Sequence, residues 1–193
     1  MRGLFLILAV LLLSDCTRPG SIKKEPISSS LALNQEPTQT VISFLKWYRQ
    51  HYDTINQFQL VNNYRSTDKY DSTRFYSVNF SETEKYLSEI KESGYVSDQY
   101  IKKWKSYFLN RELNFKANLQ NEGPPDGFEF DFILRDQEPK YTLEGIESIK
   151  LISAEITSTS ANVIINITME LNFTLTRHYG KWLIDDIENS RLE

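Results

Sequence analysis

Residues 163–187 read VIINITMELNFTLTRHYGKWLIDDI, and this stretch decides the predicted fold of the chain. Every odd-numbered position from 163 to 175 is apolar, and the even-numbered positions from 166 to 176 carry Asn, Thr or Glu. Such alternation predicts a half-buried strand with a fixed register, because a one-residue slip would expose the whole apolar face. The triplet Tyr179-Gly180-Lys181 predicts a tight turn, and residues 182–187 predict the returning strand.

Two more strands are predicted before this hairpin. The segment GPPDG at residues 123–127 breaks the chain, and the period of the apolar residues then changes from about 3.6 to about 2. A strand is predicted over residues 128–135, with its Phe side chains on one side and Asp131 on the other, toward solvent. Another strand is predicted near residues 146–158.

Helical periodicity is found in the first half of the chain. Thr38 is a predicted N-cap, and the apolar residues after it recur at the spacings of one helix face. A capping box at Ser81 predicts a second helix that ends at Gly94, and Ser97 predicts the cap of a third. Residues 62–71 are polar and are predicted to be irregular. Helices followed by long antiparallel strands predict an α+β fold, with N-terminal helices packed on one face of a curved antiparallel sheet.

The first residues of the chain are typical of a bacterial export signal. An apolar run over residues 4–13 follows Arg2, and it is too short to span a bilayer as a helix, which needs ~20 residues. Cys16 is the only cysteine, and the stretch Leu13-Ser14-Asp15-Cys16 resembles the lipoprotein cleavage box except at Asp15. We therefore expect Cys16 to be lipidated. The alternative is an ordinary secretory signal in which Cys16 is incidental.

These features predict three segments and an address. Residues 1–15 are the expected signal peptide, residues 16–37 the lipidated cysteine with a flexible tether, and residues 38–193 one α+β domain. The domain is expected to be anchored to a bacterial membrane by its lipid. Thr17, rather than the Asp that retains lipoproteins at the inner membrane, follows the cysteine and favours the outer membrane, facing the periplasm.

The composition argues against several classes of function. The 22 basic and 26 acidic side chains give a net charge of −4, whereas nucleic-acid binding needs a concentrated basic face. The single cysteine rules out an internal disulfide. His51 and His178 are the only histidines, so no metal site and no cofactor are expected. No nucleophile elbow or phosphate-binding loop is visible, so no catalytic residue is predicted.

The order of these motifs resembles a known fold and a known family. The segment ELNFTLTRHYGKWLIDDI is similar to the closing hairpin of the cone-shaped nuclear-transport-factor-two-like (cystatin-like) fold. The segments VISFLKWYRQHY, SGYVSDQYIKKW and FDFILRDQEP, in that order, resemble the bacterial family called domain of unknown function 3828, over roughly residues 38–189. The resemblance implies a cone-shaped exported protein or lipoprotein. It supplies no catalytic residues, and relatives with this fold include enzymes, ligand binders and scaffolds.

Four side chains are candidates for a ligand site, and each has a structural alternative. Trp47 and Tyr48 on the first helix and Trp104 on the third are candidates to line a cavity, although their helical spacing favours the core. Asp131 is flanked by two Phe residues. In cone folds with enzymatic activity, a carboxylate facing the cavity acts as a base or a neutral donor, its pKa raised by apolar walls. The alternation favours a solvated Asp131 instead.

Two classes of function follow. The first, which the lack of a catalytic set favours, is a membrane-anchored envelope lipoprotein with a non-catalytic binding or adaptor domain for a protein partner. Inhibitors of toxic effectors and immunity-type proteins belong to this class. The alternative is a small-ligand binder or an isomerase- or lyase-like enzyme that uses the interior of the cone. A deep cavity with a buried carboxylate would favour the alternative, and a homodimer through the sheet is compatible with either.

Overall fold

The computed structural model describes residues 35–65, 69–70 and 73–189, so the predicted signal peptide, Cys16 and most of the predicted tether lie outside the described residues. The described elements, in chain order, are α1 (Glu36–Ile55), β1 (Val61–Arg65), β2 (Arg74–Val78), α2 (Phe80–Glu92), α3 (Asp98–Ala117), α4 (Pro139–Glu144), a 3-10 turn (Gly145–Ser148), β3 (Lys150–Ile156), β4 (Ser160–Asn166), β5 (Glu170–His178) and β6 (Lys181–Asn189). Strands β3 to β6 form an antiparallel sheet in sequence order, and β1 pairs with β2 in a separate hairpin.

The strand predicted over residues 163–176 is two strands, β4 and β5, joined by a turn. The turn closes where the backbone N–H of Ile167 donates to the carbonyl of Met169 at 3.0 Å. The alternation did not reveal this reversal, because odd-numbered residues of β4 pair with odd-numbered residues of β5, as Val163 does with Phe173. Both strands therefore direct their odd-numbered side chains to the same buried face, and the pattern continues through the turn unchanged.

The final hairpin is confirmed, with its turn at the predicted place. Tyr179 and Gly180 both have positive φ, 48° and 84°. Two such residues between paired strands give the twist that a tight antiparallel hairpin needs, and Gly adopts this conformation without steric cost. The register also shifts once between β3 and β4 and once between β5 and β6, and irregularities of this kind bend a sheet.

The three predicted helices are present, and their first residues differ in part from the prediction. Helix α1 begins two residues before Thr38, whose side chain is buried. Helix α2 is capped by Asn79 rather than Ser81, because the Asn79 side chain accepts a hydrogen bond from a first-turn backbone N–H at 3.3 Å. Ser97 caps α3 as predicted, and it accepts from two backbone N–H groups at 3.1 and 3.2 Å. None of the described helices combines the length and the apolar character needed to cross a bilayer.

Two predictions for the connecting segments are wrong. Residues 62–65 of the stretch expected to be irregular belong to β1, which pairs antiparallel with β2. The strand expected over residues 128–135 is instead a series of turns, held by a single bridge in which the N–H of Asp131 donates to the carbonyl of Asp136 at 2.8 Å. Asp131 causes this difference through its own hydrogen bonds, as described below.

The helices cover one face of the sheet and enclose the core with it. Helix α1 packs on β4 and β6, and α3 packs on β6 and on β2. Tyr48, Phe44 and Phe173, from a helix and from the sheet, are all fully buried. Burying a side chain of this size contributes about 2–3 kcal/mol to folding. The predicted α+β class, with N-terminal helices packed on an antiparallel sheet, is confirmed.

The chain before α3 covers part of the outer edge of β6. The N–H of Ile184 donates to the carbonyl of Tyr95 at 2.8 Å, and the N–H of Ser97 donates to the carbonyl of Ile184 at 2.9 Å. Because Ser97 is also the N-cap of α3, these bonds fix the start of α3 against the sheet.

Candidate functional site

Asp131 lies at the centre of the candidate site, in the turns between α3 and α4. Its Oδ1 atom accepts hydrogen bonds from the backbone N–H groups of Ile133 at 3.0 Å and Leu134 at 2.6 Å. An Asp side chain that binds N–H groups two and three residues further on stabilises a turn in competition with a sheet ladder. The alternating Phe residues therefore do not form a strand. Asp131 is only 9% exposed, so its predicted position in solvent is wrong.

Tyr48, near the middle of α1, supplies the third hydrogen bond to this carboxylate. Its hydroxyl donates to Oδ2 of Asp131, and Nδ2 of Asn56 donates to the Tyr48 hydroxyl oxygen at 3.1 Å. Tyr48 is fully buried. The resulting chain of hydrogen bonds runs from the end of α1 to the turn at Asp131, and it fixes the orientation of the carboxylate.

The environment of Asp131 disfavours its charge. Burial raises the pKa of Asp131 to about 6, while its hydrogen bonds, the one from Leu134 first, act in the opposite direction. Burial and the neighbouring carboxylate raise the pKa of Tyr48 well above its usual value, so Tyr48 stays a donor at neutral pH. Among the described residues, none of the largest influences on the pKa of Asp131 comes from a basic side chain. A carboxyl group that titrates near pH 6 can exchange a proton under physiological conditions.

Aromatic rings surround the turn that carries Asp131. The ring of Phe132 meets those of Tyr86, Phe128, Phe130 and Trp104 edge to face, with centroid distances of 6.2, 5.6, 5.2 and 5.1 Å. Edge-to-face pairs of this kind contribute about 0.5–1.5 kcal/mol each beyond the burial of their area. The cluster therefore holds the turn rigidly on α2 and α3.

A pocket of about 290 Å³ opens beside Asp131. The end of α1, the start of β1, α2 and the turns at residues 125–132 form its walls. Its lining is largely apolar and aromatic, with the polar side chains of Asn56, Gln59 and Asp131. The volume is at the lower end of the range for small-molecule sites, ~300–1,000 Å³. Asp131 and this pocket together define the acid pocket.

The structure brings together two of the four predicted ligand-site residues, Tyr48 and Asp131, which form a hydrogen bond. Trp104 is buried in the aromatic cluster and does not line the acid pocket, as the core alternative predicts. Trp47 also lies outside the pocket, and its ring stacks on the imidazole of His51 at 4.8 Å.

Of the residues that line the acid pocket, only Asp131 was predicted as a site residue, and Phe58, Asn56 and Tyr86 are among those that were not. Phe58 lies in the connection after α1, where no periodic pattern singles it out. Asn56 is the residue after α1, and it donates a hydrogen bond to Tyr48, which lies eight positions earlier. Tyr86 belongs to the buried face of α2 and has no feature of sequence that separates it from the core residues beside it. Of these three residues, only Asn56, a polar residue at a helix end, has a sequence feature that could have indicated a site.

A second surface feature lies on α3 and at the start of α2. Phe80, Leu109 and Leu113 are 40%, 57% and 62% exposed, and we name these three residues the apolar patch. Leu109 and Leu113 are one helical turn apart, and Phe80 and Leu109 line the same shallow cavity of about 120 Å³. Ion pairs made by Lys105 and Lys116 lie on either side along α3. An apolar centre with a charged rim is the usual anatomy of a protein-binding surface.

The histidines do not join either feature. Nδ1 of His51 is 2.8 Å from the carbonyl of Trp47, and Nε2 of His178 is 2.8 Å from the hydroxyl of Thr176. Within residues 35–65, 69–70 and 73–189, no three side chains of His, Cys, Asp or Glu are arranged to hold a metal ion.

No family model and no curated protein matches the chain. Among solved structures, a chain of the type VI native effector–immunity complex Tae3–Tai3 from Ralstonia pickettii is similar, with 20% sequence identity and a TM-score of 0.42 over 81% of this chain and 97% of that chain. A chain of the selenomethionine form of that complex has 21% identity and a TM-score of 0.41 over 80% and 96% of the two chains. Similarity at this level leaves function to be argued from the acid pocket and the apolar patch.

Proposed function

We propose that this chain is an exported, lipid-anchored protein of the bacterial envelope whose folded domain binds a protein partner without catalysing a reaction. An inhibitor that blocks a toxic effector, or an immunity-type protein, is one form of this function. The observation that carries the proposal is the apolar patch. Leu109 and Leu113 lie at positions i and i+4 of a helix and are 57% and 62% exposed, although Trp104 and Phe108 of the same helix are buried.

The patch has the chemistry of a binding surface. Two leucines one turn apart are the pattern by which a helix is held in the groove of a partner. Burying a leucine side chain completely contributes about 1.5–3 kcal/mol, so an interface centred on this pair gains a substantial part of its binding free energy there. The ion pairs of Lys105 and Lys116 would lie at the rim, where they contribute little to affinity and more to orientation.

The anchor in this proposal depends on Cys16. Three acyl chains on a mature N-terminal cysteine would hold the domain firmly, since more than one chain suffices for stable membrane attachment. The sequence predicts a flexible tether over residues 17–37, and a coil of that length spans roughly 25 Å on average. The domain would then reach a partner beyond the lipid headgroups while staying attached.

Intact mass and membrane fractionation test the anchor, on the wild type and on Cys16→Ala. We expect a triacylated mass that begins at Cys16, and a variant that is unprocessed or released from the membrane. A wild-type protein that begins at another residue and is found in the soluble fraction would contradict the anchor and leave the binding proposal to its own test.

Site-specific photo-crosslinking in living cells tests the binding surface. A photoreactive residue at Leu113 should give a defined adduct, and the same residue at Tyr179, which is fully exposed at the tip of the last hairpin, should not. The adduct should be lost when Leu109 is replaced by Ser, a change that leaves the core intact because Leu109 is 57% exposed. Equal adducts at both positions, or no adduct at Leu113, would refute the assignment of the patch.

A second candidate function is favoured by the buried carboxylate. Asp131 lies at a pocket with largely apolar walls, and its pKa is raised to about 6 by burial. This is the arrangement expected for a small-ligand binder or for a proton-transferring isomerase or lyase. The three hydrogen bonds that Asp131 accepts from described residues come from its own turn and from Tyr48, however, and this pattern is typical of a structural carboxylate. For the acid pocket, we therefore favour small-ligand binding over catalysis.

A further inference from the structure

Among the described residues, no basic side chain forms an ion pair with the carboxylate of the acid pocket. The donors that reach Asp131 are two backbone N–H groups and a phenol, all of them uncharged. Asp136, the charged side chain with the largest effect on its pKa, is itself acidic and raises it. A buried carboxylate is normally paired with a cation, because hydrogen bonds alone recover only part of its lost hydration. The described residues of the site therefore supply no positive counter-ion for Asp131.

The walls of the pocket are suited to a cation as well. Phe58, Tyr86, Phe128, Phe130 and Phe132 all line it. The face of an aromatic ring attracts a positive charge through its quadrupole, and several rings around one cavity form the cage that recognises ammonium groups. An anionic ligand would find no positively charged side chain among the lining residues.

Arg135 shows that this aromatic cluster already accommodates a cation. Its guanidinium carbon lies 5.4 Å from the ring centroid of Phe130 and 5.5 Å from that of Trp104. Trp104 does not line the pocket, so this contact extends beyond the pocket wall. The guanidinium of Arg135 therefore contacts the rings of Phe130 and Trp104, and it forms no ion pair with the carboxylate of Asp131.

We propose that the acid pocket binds an organic cation, an ammonium group that carries short apolar substituents, with Asp131 as its counter-ion and the surrounding rings as its cage. This inference rests on the second candidate function above and names its ligand class. The volume of about 290 Å³ limits the ligand to a small amine or to the end of a longer chain, such as a lysine side chain. No reaction is required, because the site would gain its selectivity from charge and shape.

Titration calorimetry with choline and with its uncharged carbon isostere tests this inference. The isostere has a quaternary carbon in place of the nitrogen, so the two probes share their shape and differ in charge. We expect choline to bind at least tenfold more tightly than the isostere, since cation–π contacts and the carboxylate act on the charged probe alone. Asp131→Asn should reduce this preference strongly, and Glu129→Gln should retain it, because Glu129 is an exposed carboxylate two positions earlier.

The folding of Asp131→Asn can be checked independently. Asn retains an oxygen that can accept the hydrogen bonds of Ile133 and Leu134. A second variant, Phe130→Leu, keeps an apolar wall and removes one ring, and it should also lower the preference for choline. Circular dichroism and a cooperative thermal transition would show that each variant is folded before binding is compared.

Three outcomes are informative. A preference for choline that depends on Asp131 supports the inference. Equal binding of choline and its isostere would refute the role of charge and leave the pocket as a site for apolar molecules. Binding of neither probe would overturn this inference. Two further ligands test the source of the cation: a lysine-containing peptide and the same peptide with its lysine trimethylated. Tighter binding of these peptides than of choline would identify a protein side chain as the source. Tighter binding of choline would identify a free amine.

Discussion

Replacing Asp131 by Asn should remove one pH-dependent component of the folding stability. The substitution keeps the size of the side chain and an oxygen that can accept the backbone N–H groups of Ile133 and Leu134. It removes the only group of the acid pocket that titrates between about pH 4 and pH 6. Comparison with the wild type therefore isolates the contribution of one carboxyl group.

The sign and the size follow from the shifted pKa. The ordinary pKa of an Asp is 3.8, and burial raises that of Asp131 to about 6 in the folded protein. Between these two values the folded protein binds more protons than the unfolded chain, so the free energy of unfolding decreases as the pH rises. The stabilising contribution is complete below about pH 4 and is lost above about pH 6. A shift of about two units corresponds to about 3 kcal/mol.

Urea unfolding followed by tryptophan fluorescence, at several pH values from about 4 to 7, measures this contribution. The difference in unfolding free energy between the wild type and Asp131→Asn should change by about 2 kcal/mol over that range, to the relative disadvantage of the wild type at the higher pH. Glu129→Gln, which removes an exposed carboxylate nearby, should follow the wild type. A difference between wild type and Asp131→Asn that does not vary with pH would refute the raised pKa.

Two further substitutions test local features of the fold. Gly127→Ala should destabilise the protein by about 2 kcal/mol more than Gly123→Ala, because both residues have positive φ but only at Gly127 would the new Cβ meet neighbours, at 2.6 Å from Arg111 and 2.7 Å from Tyr107. Equal losses in thermal unfolding would show that crowding at Gly127 is relieved without cost. Ser97→Ala should cost about 1 kcal/mol through loss of the N-cap of α3, whereas Ser97→Thr should retain most of it. An unchanged unfolding midpoint for Ser97→Ala would contradict the role of this cap.

The sheet shows what periodicity can and cannot predict. The alternation over residues 163–175 correctly identified a buried face, and Tyr179-Gly180 correctly identified a turn. The turn between β4 and β5 was missed, because Ile167 and Met169 keep the apolar alternation through the reversal. Alternation indicates which face of the sheet a side chain occupies. In a hairpin whose odd-numbered residues pair with odd-numbered residues, the alternation continues through the turn and does not indicate the reversal.

The position of Asp131 in the candidate site was predicted wrongly for a different reason. Asp131 was assigned to solvent from the alternation of Phe128, Phe130 and Phe132, which assumed an extended backbone. Its side chain instead binds the N–H groups of its own turn, a local interaction that competes with strand formation. Its partner Tyr48 is 83 residues away, and no single-sequence pattern links positions at that distance.

The separation between Tyr48 and Asp131 has a consequence for the order of folding. Strands β3 to β6 pair with their immediate neighbours in sequence, so each hairpin can form by closing a short loop. The hydrogen bond between Tyr48 and Asp131 spans 83 residues and needs α1 and the turn to be in place already. We therefore expect it to form after the main kinetic barrier. Stopped-flow measurements on Tyr48→Phe should show faster unfolding with an almost unchanged refolding rate, and slower refolding would place this contact in the folding nucleus instead.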